Sequence, residues 1–475
     1  MRVHDAAIHF TVAALLVGLS VLGSTAALAQ TDPGVRHAST DNTLRPPALP
    51  NSTPTELAFF QDGLARFSSV KSVRTSGGDN SGLGPRYNSD ACLSCHSQPF
   101  AGGSSPAVNP LLAVASASGG RNDVPWFIVA NGPIREARFV AFSNGAPDGG
   151  VHDLFVVTGR TDGVSSACNI AQPDFTPAGN RLTGQGGNPN IVFRIPTPTL
   201  GAGLIEAIPD SAILLNMRAN GGAKRRAGIA GHPNRSGNDG TITRFGWKAQ
   251  NKSLLLFAGE AYNVEMGVSN LLFPQERDET AACQGFGTPG NPGNLIPNDT
   301  ATFAATPDTT GLSTGVLSDM EAFADFMRTL AAPVPAAATA STQHGRALFI
   351  GVGCALCHTP TLATGPFMAN GDEGTPSAAL SNQPVNLFSD LLVHHMGKLA
   401  DGVTQGAAGP DEFRTAPLWG VGQRIFFLHD GRTSNLIQAI RFHASQGSEA
   451  NQVVDNFLEL GAGDQQDLIN FLRSL

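Results

Sequence analysis

Helical periodicity is clearest at three places along the chain. Thr53-Pro54-Thr55-Glu56 supplies an N-cap, a proline at the first helical position and a capping-box glutamate, and Leu57, Phe60, Leu64 and Phe67 follow at helical spacing. Ser318 to Glu321 forms a second capping box, with Met320, Phe323, Met327 and Leu330 on one face. Ala332-Pro333-Val334-Pro335 ends that helix. Beyond it the pattern predicts helices from Ser341 to about Ile350, Ser434 to about His443, about Glu449 to Leu458, and Asp464 to Leu475. Another helix is expected to carry Leu254 to Glu260. Residues from about 100 to 310 otherwise read as loop-rich, with short apolar runs at Trp126 to Ala130, Leu154 to Thr158 and Ile191 to Ile195 that suit strands. The pattern predicts a mainly helical protein with short sheet elements.

Composition sharpens this picture. The 55 glycines and 32 prolines among 475 residues exceed the usual ~12% share, which fits a large irregular insertion. A net charge of −8 with only 14% charged residues excludes a nucleic-acid footprint and gives no basic face for anionic membranes. Residues Met1 to Ala29 read as a secretory signal: Arg2 is followed by an apolar stretch from about Phe10 to Leu22 and an Ala27-Leu28-Ala29 cleavage site. No other segment is long and apolar enough to span a bilayer. The expected divisions are a signal peptide over 1–29, an N-terminal unit over 30–333 and a C-terminal unit over 334–475. The expected address is the periplasm, an oxidising compartment.

Four of the six cysteines fall in two identical patterns, Cys92-Leu93-Ser94-Cys95-His96 and Cys354-Ala355-Leu356-Cys357-His358. In an exported chain CxxCH is a covalent haem c attachment site: two thiols bond the porphyrin's vinyl groups, and the adjacent histidine reaches the iron. Zinc would not require histidine directly after each pair, and a thioredoxin-like motif would need a βαβ context. Two haems c are therefore expected, with Cys92, Cys95, Cys354 and Cys357 as attachment points and His96 and His358 as proximal ligands. His443 falls on a helical face with Leu436 and Ile440, which makes it a candidate second ligand for the C-terminal haem; the alternative is a core-edge histidine bonded to a carbonyl.

Several stretches resemble the bacterial di-haem cytochrome c peroxidase superfamily, most closely its di-haem oxidoreductase, or thiol oxidoreductase-like, branch. They include Gly82-Leu83-Gly84-Pro85, Gly203-Leu204-Ile205-Glu206-Ala207-Ile208-Pro209, Arg244-Phe245-Gly246-Trp247-Lys248-Ala249 and Glu265-Met266-Gly267. Further along come Ser389-Asp390-Leu391-Leu392 with His394 to Gly397, Phe413-Arg414-Thr415-Ala416-Pro417-Leu418-Trp419-Gly420 and His429-Asp430-Gly431-Arg432. The resemblance implies two cytochrome-c-like haem domains with a large loop-rich insertion containing short β elements. It also places a distal ligand fourteen residues after the histidine of the His-Asp-Gly motif, and that position is His443. An electron-transfer C-terminal haem with two histidine ligands and a reactive N-terminal haem follow from it.

The chain departs from the peroxidase pattern where the resemblance implies an acidic residue, because Leu254, Leu255 and Leu256 occupy that window. Glu260 is a substitute candidate, and Tyr262 falls where rubber-oxygenase relatives place an aromatic over the reactive haem. Trp247 and Trp419 are candidate electron relays or core residues. Arg414 and Arg432 suit the haem propionates, since guanidinium pairs bidentately with carboxylate. The family's inter-haem calcium is doubtful here, because Arg424 and Phe426 stand where Thr and Pro are usual. Cys168 and Cys283 are read either as a disulfide closing a loop of about 115 residues or as the redox pair suggested by the branch's thiol label. The resulting expectation is an exported, peroxidase-like haem oxidoreductase served by a small redox protein or another electron donor or acceptor. A pure di-haem electron carrier and an oxygenase-like enzyme are the alternatives; substrate and oligomeric state are not legible.

Overall fold

The computed structural model describes residues 30–36, 46–71, 83–84, 86–117, 124–156, 172–175, 179–180, 185–187, 190–274, 317–367, 375 and 377–475. The signal sequence and both Cys168 and Cys283 lie outside these residues. Among the described residues helices dominate, with several small antiparallel sheets between them. No helix is long and apolar enough to cross a membrane.

The helix Pro54–Ser68 begins as its capping box dictates: the Thr53 hydroxyl accepts from the Glu56 amide at 3.2 Å, and the Glu56 carboxylate accepts from the Thr53 amide at 2.7 Å. It crosses Asp319–Thr329 at Gly63, where a Cβ would lie 2.3 Å from the Ala322 carbonyl oxygen. Phe60 and Phe67 pack on Phe326 at ring separations of 5.4 and 5.0 Å. The same construction recurs near the C-terminus. Ala340–Gly351 crosses Ala462–Ser474 at Gly345, whose Cβ would lie 2.0 Å from the Asp467 carbonyl oxygen, and Phe349, Phe388 and Phe471 close the crossing. In both pairs glycine permits a backbone approach that any side chain would block.

These crossings seed two apolar clusters, one running from Leu49 to Trp419 and one from Phe349 to Leu475. Leu362, Leu380, Val385, Leu387 and Leu391 belong to the first, so chain beyond Pro335 contributes to both cores. Residues 30–36 lie back across the C-terminal helices. Asp32 accepts from Arg473 Nε and Nη2, both at 2.6 Å, and from the Leu436 amide at 2.7 Å. Arg36 donates to the Leu475 carbonyl at 3.0 Å.

The intervening region differs from the sequence expectation in two ways. Trp126 to Ala130 forms turns rather than a strand, because Pro125 and the Gly132-Pro133 pair bracket it; Trp126 and Phe127 are held by packing on Phe193. Three helices, Ala202–Glu206, Asp210–Arg218 and Gly221–Ala227, stand where loop was expected. The strands Ile191–Arg194 and Phe155–Val156 form as anticipated. Glu136–Phe139 is the central strand of a three-stranded sheet, antiparallel to Val151–His152 and Ile191–Arg194, and it sets Glu136 beside Arg194. The helix Leu254–Met266 starts at Ser253, whose hydroxyl accepts from the Leu256 amide at 3.2 Å, and ends at Gly267 with φ +67°.

Candidate functional site

Each CxxCH motif forms part of the wall of its own cavity. The first motif sits on the short helix Cys92–Cys95, and its cavity encloses about 1220 Å³, partly open to solvent. His96 Nδ1 lies 3.0 Å from the Gly103 carbonyl oxygen, and burial lowers the ring's pKa. Burial also pushes the Cys92 thiol up to about 12 and the Cys95 thiol higher still. Both sulfurs therefore face the cavity as neutral groups. Trp247, Glu260 and Tyr262, all singled out from sequence, line this cavity together. Glu260 accepts from Asn251 Nδ2, and the Tyr262 hydroxyl donates to Asp319 Oδ2 at 2.9 Å.

The three leucines at 254–256 bring no acid, but the fold supplies one from elsewhere. Glu265 follows Tyr262 by three residues on the same helical face, and Glu136 arrives from the three-stranded sheet; both line the cavity. Glu265 accepts from Asn88 Nδ2 at 2.8 Å. Burial and then the neighbouring Glu136 hold Glu265 protonated, well above the usual carboxylate range. Burial opposes charge on Glu136 too, but Arg138 outweighs it, and Glu265 donates a hydrogen bond, so Glu136 stays ionised. Two carboxyls sharing one proton are the signature of a proton-handling pair. The signal for Glu265 was its helical spacing from Tyr262; Glu136 carried no local signal.

The second cavity encloses about 1440 Å³ and is lined by Cys354, Cys357, His358, Arg414 and His443. His443 caps the helix Leu436–Phe442, with Nδ1 2.7 Å from the Ala439 carbonyl oxygen; His358 Nδ1 lies 3.1 Å from that of Phe388. A backbone carbonyl at Nδ1 fixes the tautomer and leaves the Nε2 lone pair for a metal. Burial, then His443, pushes His358 down to about 4, so the neutral form is secure. Burial pushes the Cys354 thiol up to about 12. Apolar walls, paired cysteines and tautomer-fixed imidazoles, one in the first cavity and two in the second, make each cavity chemically fit for a covalently held porphyrin.

Arg432, expected at a propionate, is instead held by Asp430 at 2.6 Å and stays off both cavity walls, while Arg424 lines the second cavity. His394 is buried between Glu449 at 2.7 Å and Asp390 at 3.1 Å; burial opposes its charge, yet Cys357 and Asp390 raise its pKa well above the ordinary value. Cys357, Asp390 and His394 come close enough to hold a metal ion, but the CxxCH thiol and the two ion pairs already occupy the set. Trp247 lines both cavities, with its Nε1 donating to the Ile195 carbonyl at 2.8 Å and its ring set edge-on to His429. His429 in turn stacks on Phe413 at 4.3 Å.

The sequence model of one family, "Di-haem oxidoreductase, putative peroxidase", matches residues 186–475, which include the second CxxCH, Trp247 and His443. Among curated proteins, none matches this chain. Solved structures similar to it include the diheme peroxidase BthA of Burkholderia thailandensis, at 16% identity over 59% of this chain and 86% of that one, with a TM-score of 0.27. Others are a Kuenenia stuttgartiensis hydrazine synthase (20% identity, 34% of this chain, 57% of that one, TM-score 0.22) and a MauG-like protein associated with microbial copper homeostasis (19%, 33%, 52%, 0.23). The chain thus spans only about half the length of the latter two. At these TM-scores the structural overlaps bear no weight, and it is the family match over more than half of the sequence, joined to the two CxxCH cavities, that places this chain in the di-haem oxidoreductase family.

Proposed function

We propose that this protein is an exported, periplasmic di-haem c oxidoreductase of peroxidase type, with two cytochrome-c-like modules built on the Gly63 and Gly345 crossings. The observation that carries the reading is the asymmetry of the two cavities. One sets His443 with His358 on its wall; the other joins His96 to the Glu136–Glu265 pair and shows no second histidine among its described lining residues. Two imidazoles suit an electron-storing centre, whereas one imidazole with a proton donor suits a reacting centre.

Bound haem would supply one-electron chemistry and an open iron face for peroxide or dioxygen. The chain's own residues do the rest. Glu265 holds a proton at its carboxyl, oriented by Asn88, and passes it to an oxygen atom in the cavity; Glu136 in its ionised form takes up the replacement. Reduction of hydrogen peroxide to two waters takes two electrons and two protons, and in this reading the electrons enter through the second site. Trp247 stands between the sites as a shared wall. A small redox protein is the proposed donor.

Absorbance and EPR spectra of the oxidised protein, before and after hydrogen peroxide, test this. One high-spin haem that changes with peroxide is the expected result; two low-spin haems unmoved by peroxide would leave an electron carrier. His443→Gly should turn the C-terminal haem high-spin, and an unchanged low-spin signal would remove His443 as ligand.

A further inference from the structure

Among the described residues, buried arginines pair with a carboxylate, with one exception. Arg138 pairs with Glu136, Arg194 with Asp401, Arg244 with Asp210 and Arg473 with Asp32. Arg414, only 9% exposed, has no carboxylate partner among the described residues; its Nε donates to the Gly246 carbonyl at 3.0 Å. Arg424 lies beside it, half-buried and likewise without a carboxylate partner among the described residues, with Nη2 donating to the Pro417 carbonyl at 3.1 Å. Both guanidinium groups line the second CxxCH cavity, and both also line a smaller pocket of about 520 Å³ between the two cavities, with Trp247 and Trp419. Among the described residues they are the only charged side chains on that smaller pocket. Burial, and for Arg414 the neighbouring Arg424, pushes each down to about 10.

Two adjacent cations withdrawn from water, one buried and one half-buried, are strongly unfavourable without an anion. A fold that keeps both is built around a negative group that is absent from the polypeptide. Besides the Cys354 and Cys357 thiols, the other ionisable groups on the second cavity wall among the described residues are His358, His394, His429, His443 and Glu449, and Glu449 is bonded to His394.

We propose that Arg414 and Arg424 together form a carboxylate-binding site that holds the propionates of the C-terminal haem in their ionised form, at the end of the cavity facing the inter-haem pocket. The site rests on the di-haem reading. It replaces the pairing of Arg414 with Arg432 that the sequence suggested. It also assigns a use to the arginine at 424, which departs from the family pattern. A carboxylate could also reach the site as a free small acid, and the experiment separates the two sources.

The full chain is matured with haem carrying ¹³C at the propionate carboxyls, and haem content is counted first. Fewer than two haems per chain would defeat the di-haem reading itself, and the site with it. With two haems present, redox difference infrared spectra are compared for the wild type, Arg414→Gln, Arg424→Gln and Arg424→Lys at one neutral pH. The expected result is ionised labelled carboxylate in the wild type and in Arg424→Lys, and a new labelled protonated-carboxyl band in each Gln variant. Identical labelled bands in the wild type and in whichever Gln variant matures would overturn the proposal. So would a change in the C-terminal haem spectrum when sodium acetate is titrated into the wild type, because an occupied site has no room for a free acid.

Discussion

A single proton separates the two carboxyls at the N-terminal cavity, and that proton sets the chemistry expected there. Glu265→Gln keeps the shape and loses the acid, so turnover of hydrogen peroxide should fall by about 10²–10⁴-fold, measured as peroxide-dependent oxidation of a reduced donor. The pH profile follows from the two directions of shift. Glu136 must be ionised, and its value lies below the ordinary 4.5, so activity falls only in strong acid. Glu265 must be protonated, and its value lies well above 4.5, so activity falls again once the pH climbs through that raised value. The acid limb should persist in Glu265→Gln while the alkaline limb disappears. At this scale the sequence disclosed what spacing alone determines: the CxxCH residues, and His443 on its helical face. It concealed the roles of Glu136 and Glu265, which arise only when a strand and a helix distant in sequence converge on the first cavity, and that of Arg424, which a loop brings to the second.

At the scale of elements, the two glycine crossings decide whether the helix pairs can close. Gly345→Ala sets a methyl against a backbone carbonyl that has no room to yield, and should lower stability by about 1–3 kcal/mol in denaturant titration. An alanine at the exposed Gly463, where a Cβ meets nothing, is the control. The capped helices were legible because caps and periodicity are local. The helices between 202 and 227 were not, since two glycines open Gly221–Ala227 and a proline precedes Asp210–Arg218, and those residues also mark loops. Trp126 to Ala130 failed in the opposite direction: an apolar run can serve a core without entering a sheet.

For the molecule as a whole, the decisive contacts join segments far apart in sequence. Asp32 reaches Arg473 and the first amide of the helix that carries His443. Burial would raise the Asp32 pKa, but Arg473 and the amides of Leu436 and Gly34 outweigh it and hold it below the ordinary 3.8. Its stabilisation is therefore complete above that value and is lost as the pH falls through the lowered one. Asp32→Asn should cost about 3 kcal/mol at pH 7, and much less at a pH below both values, when chemical denaturation is followed at each. The segment 30–36 also bears on how the protein can be divided. A fragment covering residues 334–475 would hold the second CxxCH and His443, yet it would leave Arg473 buried without its counter-ion. Such a fragment should bind a synthetic peptide of residues 30–36 added in trans, and a peptide with Asn at position 32 should fail to do so. The C-terminal unit would in this sense be a receptor for the segment that follows the proposed export signal.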